Sequence, residues 1–269
     1  MHDRPDSRGV SAPFRNRRAD EGLETMTYCL GITTKDGFVV ASDSRSNAGF
    51  DQVNICRKMH TFVTPEERIF VALTSGSLSC SQSIVTLLRK DYELGEGLAA
   101  AGSMYEAART VGDQVRRVAE IDRAALEQSD YKFNVHVLLA GQIRGQPHDL
   151  YLIYPQGNPL RATEDSPYLQ IGECKYGRPI LDRGVRFDKT TLDEAARYAL
   201  ISLDSTMRSN VTVGPPIDLM VYNSDELKVS RYRRFPDRDP DLAAIHTQWE
   251  QSLRQAVQAL PPVRFEAEA

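Results

Sequence analysis

The chain has 269 residues, of which 41% are hydrophobic and 26% are charged, and its formal net charge is −4. This composition is ordinary for a globular protein, and it supplies no basic face for nucleic acid. No apolar run approaches the roughly 18 residues that a membrane-spanning helix needs. The four cysteines form no CxxC pair and the five histidines show no HExxH spacing. The sequence therefore predicts reduced thiols in the cytoplasm, with no metal, no cofactor and no membrane partner.

The first 26 residues differ in composition from the rest of the chain. They are rich in Arg, Asp, Gly and Pro and have almost no large apolar side chains, so they are predicted to be disordered. They also lack the apolar segment of a secretory signal. Residues 1–26 are thus either a removable propeptide or an extension upstream of the true start at Met26. The second interpretation is favoured, because methionine before a small residue such as Thr27 is readily removed.

Ordered structure is predicted to begin at Thr27. Short apolar runs on either side of a Lys-Asp-Gly turn predict a β-hairpin over 28–44. A second hairpin is predicted over 57–75. Apolar residues at helical spacing then predict two helices, over 78–90 and about 104–126.

The second half of the chain returns to strands and ends with a helix and two further strands. Thr191 and Glu194 form a capping-box pattern at the start of a long helix from about residue 192. The predicted strands are 133–143, 149–155, one ending at 169–171, then 217–222 and 226–232. This order predicts an α+β fold in which antiparallel sheets pack face to face beneath helical layers.

The final segment, 234–269, is predicted to be a charged linker and an amphipathic helix. From Leu242 to Leu260, apolar residues recur at steps of three or four, and they include the only tryptophan, Trp249. The helix either folds back on its own core or docks on a neighbouring subunit. The pattern favours neither over the other.

Two separated segments resemble a known family. Residues 27–47 (TYCLGITTKDGFVVASDSRSN) resemble the amino-terminal signature of proteasome β-type subunits, and residues 202–222 (SLDSTMRSNVTVGPPIDLMVY) resemble the bacterial Anbu group. The resemblance covers nearly all of 27–232 and includes the C-terminal helix. It implies one hydrolase domain over 27–233, with the four-layer αββα sandwich of N-terminal-nucleophile hydrolases and an added C-terminal helix.

The resemblance also implies a threonine peptidase with Thr27 as its nucleophile. A threonine hydroxyl needs a base, and here the base is the α-amine of the same residue once it is the chain terminus. Asp43 lies 43 − 27 = 16 residues and Lys58 lies 58 − 27 = 31 residues after Thr27. By resemblance Lys58 lowers the pKa of the amine, Asp43 holds Lys58, and the backbone of Gly76 binds the oxyanion. Each residue alone also fits an ordinary structural role, but their order and spacing together favour catalysis.

Other site residues are assigned by the same resemblance. The accessory positions are Arg45, Glu173, Ser209 and Thr212, and the substrate-pocket positions are Ser46, Thr74 and Leu78. Glu173 and Ser209 stand where the family has a serine and an aspartate, so the hydrogen-bond network around the amine is expected to differ.

Three functional hypotheses follow from these residues. The first is a threonine peptidase that cleaves peptides as a homo-oligomer, in a closed ring or open spiral such as a dodecamer. The second is an assembly protein of the same fold without proteolysis, and the third is an amidase for a small unusual peptide. The presence of Thr27, Asp43 and Lys58 together favours an enzyme over an assembly protein, which does not need them. No unfoldase partner is implied.

Overall fold

The computed structural model describes residues 27–47, 53–128 and 133–265. The predicted N-terminal extension lies outside the described residues. The strands within them are β1 (Tyr28–Thr34), β2 (Gly37–Ser42), β3 (Arg45–Asn47), β4 (Val53–Ile55), β5 (Met59–Thr64), β6 (Arg68–Gly76), β7 (Val135–Ile143), β8 (Asp149–Ile153), β9 (Pro159–Arg161), β10 (Tyr168–Gly172), β11 (Ile217–Asn223) and β12 (Arg231–Phe235). The α-helices are α1 (Leu78–Glu93), α2 (Met104–Gln128), α3 (Arg178–Gly184), α4 (Leu192–Ser209) and α5 (Pro240–Gln258), and a short 3₁₀ turn spans Gly97–Ala99.

These strands form two five-stranded sheets and one small ribbon. The first sheet has the order β10-β1-β2-β11-β12, the second has the order β5-β6-β7-β8-β9, and β3 pairs with β4 alone. Neighbouring strands in both sheets are antiparallel.

The two sheets pack face to face between two helical layers. Strand β1 shows why: Cys29 belongs to the cluster between the sheets, whereas Leu30 and Ile32 point to the helix side. All seven residues of β1 are buried because both of its faces are covered. Helices α1 and α2 cover the second sheet, and α3 and α4 cover the first. The predicted four-layer αββα sandwich is confirmed.

The predicted start of α4 is also confirmed. The Thr191 hydroxyl accepts a hydrogen bond from the Glu194 backbone N–H, and the Glu194 carboxylate accepts one from the Thr191 N–H at 2.9 Å. Such a reciprocal pair satisfies two N–H groups that have no partner within the helix.

The structure corrects the predicted bounds of the last strand and of the linker that follows it. Strand β12 begins at Arg231, and it continues to Phe235, so the predicted linker from residue 234 overlaps the strand. The predicted strand over 226–232 begins too early because Asp225 and Leu227 have positive φ angles of 66° and 47°, which place a turn there. Helix α3, the ribbon and β9 were not predicted, since each is too short to show a period.

The C-terminal helix α5 is present, as predicted, and its two halves differ. Leu242 and Ile245 pack against the core beside α4, and the His246 ring contacts the Asp204 carboxylate at 2.9 Å. Leu253 and Val257 are 50% and 60% exposed. The first half of α5 therefore packs against the core, and these side chains of its second half remain exposed. Among the described helices none is long and apolar enough to cross a membrane.

Candidate active site

Thr27 lies immediately before β1, and it is buried against the end of β10. Its carbonyl oxygen accepts a hydrogen bond from the Glu173 N–H at 2.7 Å. Gly172, with φ +86°, approaches so closely that a Cβ there would overlap the Thr27 carbonyl. Only glycine meets both conditions, so this glycine fixes the position of Thr27.

An ion pair joins the two sheets beside Thr27. Asp43 directly follows β2 of the first sheet, and Lys58 directly precedes β5 of the second. The Lys58 Nζ donates to the Asp43 Oδ1 at 2.6 Å and to the Arg45 carbonyl oxygen at 2.6 Å. The Asp43 side chain is fully buried and that of Lys58 is 7% exposed. Lys58 and Thr27 line the same cavity, which has a volume of about 490 Å³.

Backbone N–H groups hold the other lone pairs of Asp43. Tyr28 donates to Oδ1 at 3.1 Å, while Arg45 and Gly214 donate to Oδ2 at 3.2 and 3.3 Å. Burial raises the pKa of the Asp43 carboxyl above its ordinary value, and the Lys58 charge and these donors oppose that rise. The carboxylate is therefore a fixed acceptor that orients Lys58.

Arg45 is anchored to the loop that follows α4. Its guanidinium donates to the Val211 carbonyl oxygen at 2.5 Å. Gly214 lies against the same guanidinium, because a Cβ at that position would meet the Cζ atom at 2.5 Å. Arg45 therefore holds the loop that supplies one N–H donor to Asp43.

A polar group centred on Asn210 lies beside the Thr27 carbonyl. The Asn210 amide donates to the buried Glu173 carboxylate at 3.3 Å, and its Oδ1 accepts the Thr212 hydroxyl at 2.6 Å. Glu173 and Thr212, two of the predicted accessory residues, are thus brought together by Asn210. Ser209 is exposed at the last position of α4 and is not brought to this group. The resemblance did not identify Asn210, although a polar residue directly after a helix is a recognisable capping signal.

The predicted pocket residues Ser46, Thr74 and Leu78 all line the cavity with Thr27, and so does Gly76. Gly76 joins β6 to α1 with φ +100°, which L side chains rarely adopt. Side chains that sequence reasoning missed also line the cavity, among them Arg57, His60 and Arg89. No group of His, Cys, Asp or Glu side chains within the described part of the chain is arranged to hold a metal ion.

Comparisons with known proteins identify the family and the fold of the chain. The Proteasome subunit family matches residues 24–222. The solved Anbu from Yersinia bercovieri is 42% identical, with a TM-score of 0.83 over 89% of this chain and 100% of that chain. The helical assembly of the Anbu complex from Pseudomonas aeruginosa is 44% identical, with a TM-score of 0.84 over 88% of this chain and 98% of that one. The proteasome subunit beta of Haloferax volcanii is 25% identical over 82% of this chain and 84% of its own length.

Two antiparallel sheets between helical layers, with a threonine at the head of the first strand, define an N-terminal-nucleophile hydrolase fold of the proteasome type. The chain belongs to the proteasome subunit family. It is similar in sequence and in shape to solved bacterial Anbu proteins, which are 40% to 44% identical to it.

Proposed function

We propose that the protein is a threonine peptidase in which Thr27 is the N-terminal nucleophile of the mature chain. The observation that carries this proposal is the buried Lys58–Asp43 pair, at 2.6 Å, on the cavity that Thr27 lines. A buried ion pair is weak support for stability alone, since apolar side chains of similar volume serve as well. A buried cation beside a nucleophile has a catalytic use.

The chemistry needs both polar groups of Thr27. An α-amine has an ordinary pKa near 8, and a cation at its side favours the neutral form. The neutral amine takes the hydroxyl proton as Oγ1 attacks the substrate carbonyl, and it returns that proton to the leaving amine. An ester between substrate and Thr27 remains, and water then cleaves it.

Gly76 and the accessory residues complete the proposed site. The backbone of Gly76, at the N-terminal side of α1, stabilises the negative charge that develops on the carbonyl oxygen. Glu173, held by Asn210, replaces the serine found in the family. This change favours a restricted peptide or small amide substrate as the alternative to general protein cleavage.

The proposal requires that the peptide bond between Met26 and Thr27 is absent from the active form. A protein that begins at Thr27 is expected to react with a peptide epoxyketone, a reagent that bonds to a hydroxyl and to the adjacent amine. Intact mass spectrometry measures the adduct. Thr27→Ala removes the hydroxyl and is expected to give none, and a chain that retains Met26 lacks the free amine and is also expected to give none.

Lack of an adduct on a protein whose N-terminal residue is proven to be Thr27 would refute the assignment as a threonine peptidase. That result would favour the assembly protein of the same fold. A stoichiometric adduct that the Thr27→Ala protein also forms would equally reject Thr27 as the nucleophile.

Homo-oligomerisation is part of the proposal. The exposed apolar side chains of the second half of α5, including Leu253 and Val257, fit a contact with another copy. The similar Anbu complex from Pseudomonas aeruginosa is a helical assembly. A ring or an open spiral built through α5 is consistent with both observations.

A further inference from the structure

Two arginines line the cavity beside Thr27 in addition to the Lys58–Asp43 pair, and they give the cavity a positive charge. Arg57 directly precedes Lys58 in the chain, and Arg89 lies near the end of α1. Both line the cavity, and none of its described lining residues carries a carboxylate. The described cavity wall therefore contains cationic side chains and no carboxylate.

The other cations of the cavity already have partners. Lys58 binds Asp43, and Arg45 binds the Val211 carbonyl. Within the described part of the chain, neither Arg57 nor Arg89 forms an ion pair or a side-chain hydrogen bond. Their guanidinium donors are thus available to a ligand.

Phe62 holds Arg89 near the cavity. The Arg89 Cζ lies 5.9 Å from the centroid of the buried Phe62 ring on β5. A guanidinium at this distance from an aromatic face is attracted to it. The contact limits the freedom of a long side chain that is otherwise exposed.

His60 lies close enough to Arg57 and Arg89 for their charges to act on its ring. Its ring lines the cavity, and its pKa is lowered to about 4 by burial first and then by the charges of Arg89 and Arg57. Asp218 acts in the opposite direction and is itself paired with Arg234 at 2.7 Å. The imidazole is therefore neutral near neutral pH and adds no positive charge to the cavity.

Polar and aliphatic residues share the remaining walls of the cavity. Thr74, Ser75 and Ser81 are among the polar lining residues, and Leu78 and Val85 are among the aliphatic ones. The unpaired guanidinium groups suit a carboxylate, which accepts charge-assisted hydrogen bonds from them.

We infer that this cavity selects peptides with an acidic side chain, glutamate or aspartate, immediately before the scissile bond. Arg57 and Arg89 bind the carboxylate, and their charges disfavour lysine or arginine at the same position. The inference rests on the proposed threonine peptidase, because it names the substrate class of that same site.

A matched pair of probes tests the inference. Two peptide epoxyketones are made that differ only in glutamate or glutamine beside the reactive group, so that charge changes without a change in size. Adduct formation on protein beginning at Thr27 is followed by intact mass. We expect the glutamate probe to react about tenfold or more faster, and the ratio to fall as salt is added.

Variants assign the preference to the arginines. Arg57→Gln and Arg89→Gln are each expected to lower the glutamate-to-glutamine ratio, and the double variant is expected to bring it to about 1, because no unpaired cation remains. The rate with the glutamine probe in the same samples reports an intact site. Lys90→Gln is the matched control, since Lys90 is the next residue of α1, is exposed and does not line the cavity.

Equal or faster reaction of the glutamine probe with the unmodified protein would overturn the inference. So would a double variant that keeps the full preference, or a Lys90→Gln protein that loses it. Failure of both probes to react would instead refute the proposed peptidase, and the two failures are therefore distinct.

Discussion

Replacing Lys58 with methionine removes the ammonium group but keeps a long apolar stem. The Nζ–Oδ1 distance of 2.6 Å corresponds to a gross attraction of about 6 kcal/mol at an effective dielectric constant of about 20. The variant leaves a buried carboxylate on Asp43 without its cation. Loss of one partner from a buried pair typically lowers the free energy of unfolding by about 3–5 kcal/mol, and we expect a loss in that range.

The chain offers a control pair with similar geometry and different burial. The Arg231–Asp193 pair has an N···O distance of 2.5 Å, but its side chains are 45% and 65% exposed. Arg231→Met is therefore expected to cost about 0–1 kcal/mol. Urea denaturation at one fixed protein concentration measures both variants, because self-association would otherwise shift the midpoints.

A double variant, Lys58→Met with Asp43→Asn, separates the charge from the packing. It removes both charges and is expected to be less destabilised than the sum of the single variants. The Lys58→Met protein is also expected to react more slowly with the epoxyketone, since the cation beside the amine is gone. A Lys58→Met protein that is destabilised no more than Arg231→Met would refute the reasoning from burial.

Three further predictions concern the fold around the site and the surface of α5. Gly172→Ala is expected to slow epoxyketone labelling and to lower the free energy of unfolding by more than about 1 kcal/mol, because the new Cβ overlaps the Thr27 carbonyl. The unfolded chain binds a proton at His60 near pH 6.5, whereas the folded protein binds it only near pH 4. Stability is therefore expected to fall as the pH drops between these values, and less steeply in His60→Gln. Leu253→Glu is expected to reduce the oligomer mass measured by light scattering, since it places a charge on the exposed apolar face of α5.

Each of these predictions has its own control. Gly145 has φ +76° with no atom within 4 Å of an added Cβ, so Gly145→Ala reports backbone strain alone. Equal effects of the two glycine variants would contradict the role given to Gly172. If the free energy of unfolding of His60→Gln depends on pH as it does in the unmodified protein, another group causes the loss of stability at acid pH. Gln251→Glu, on an exposed position of the same helix, should leave the mass unchanged, and a Leu253→Glu protein of unchanged mass would exclude this face as a contact.

Much of the framework could be predicted because it depends on local patterns. The hairpin of β1 and β2 has apolar runs around a turn, and the Thr191–Glu194 capping box occupies four consecutive residues. The predicted Lys58–Asp43 pairing rested on spacing within the family, and the structure places the two groups in contact. Their catalytic role stays a prediction.

The rest depended on contacts between elements that no local pattern shows. Arg89 reaches the cavity from α1, while Arg57 reaches it from the segment before β5. Ser209 was selected by its place after an arginine, but α4 ends there and the next residue, Asn210, is the one that turns inward. The apolar stripe of α5 is continuous in sequence, yet only its first half meets a partner on α4.

The ion pair between the sheets has a mechanical consequence. Thr27 and Asp43 are attached to one sheet, and Lys58 and Thr74 are attached to the other. A relative displacement of the two sheets by about 1 Å would stretch the 2.6 Å contact between Lys58 and Asp43. It would leave the hydrogen bonds between strands within each sheet intact. Hydrogen bonds weaken steeply with such displacement. In the proposed peptidase, the reactivity of Thr27 would therefore depend on the relative position of the two sheets. A neighbouring subunit that contacts both sheets would change that reactivity without touching the substrate.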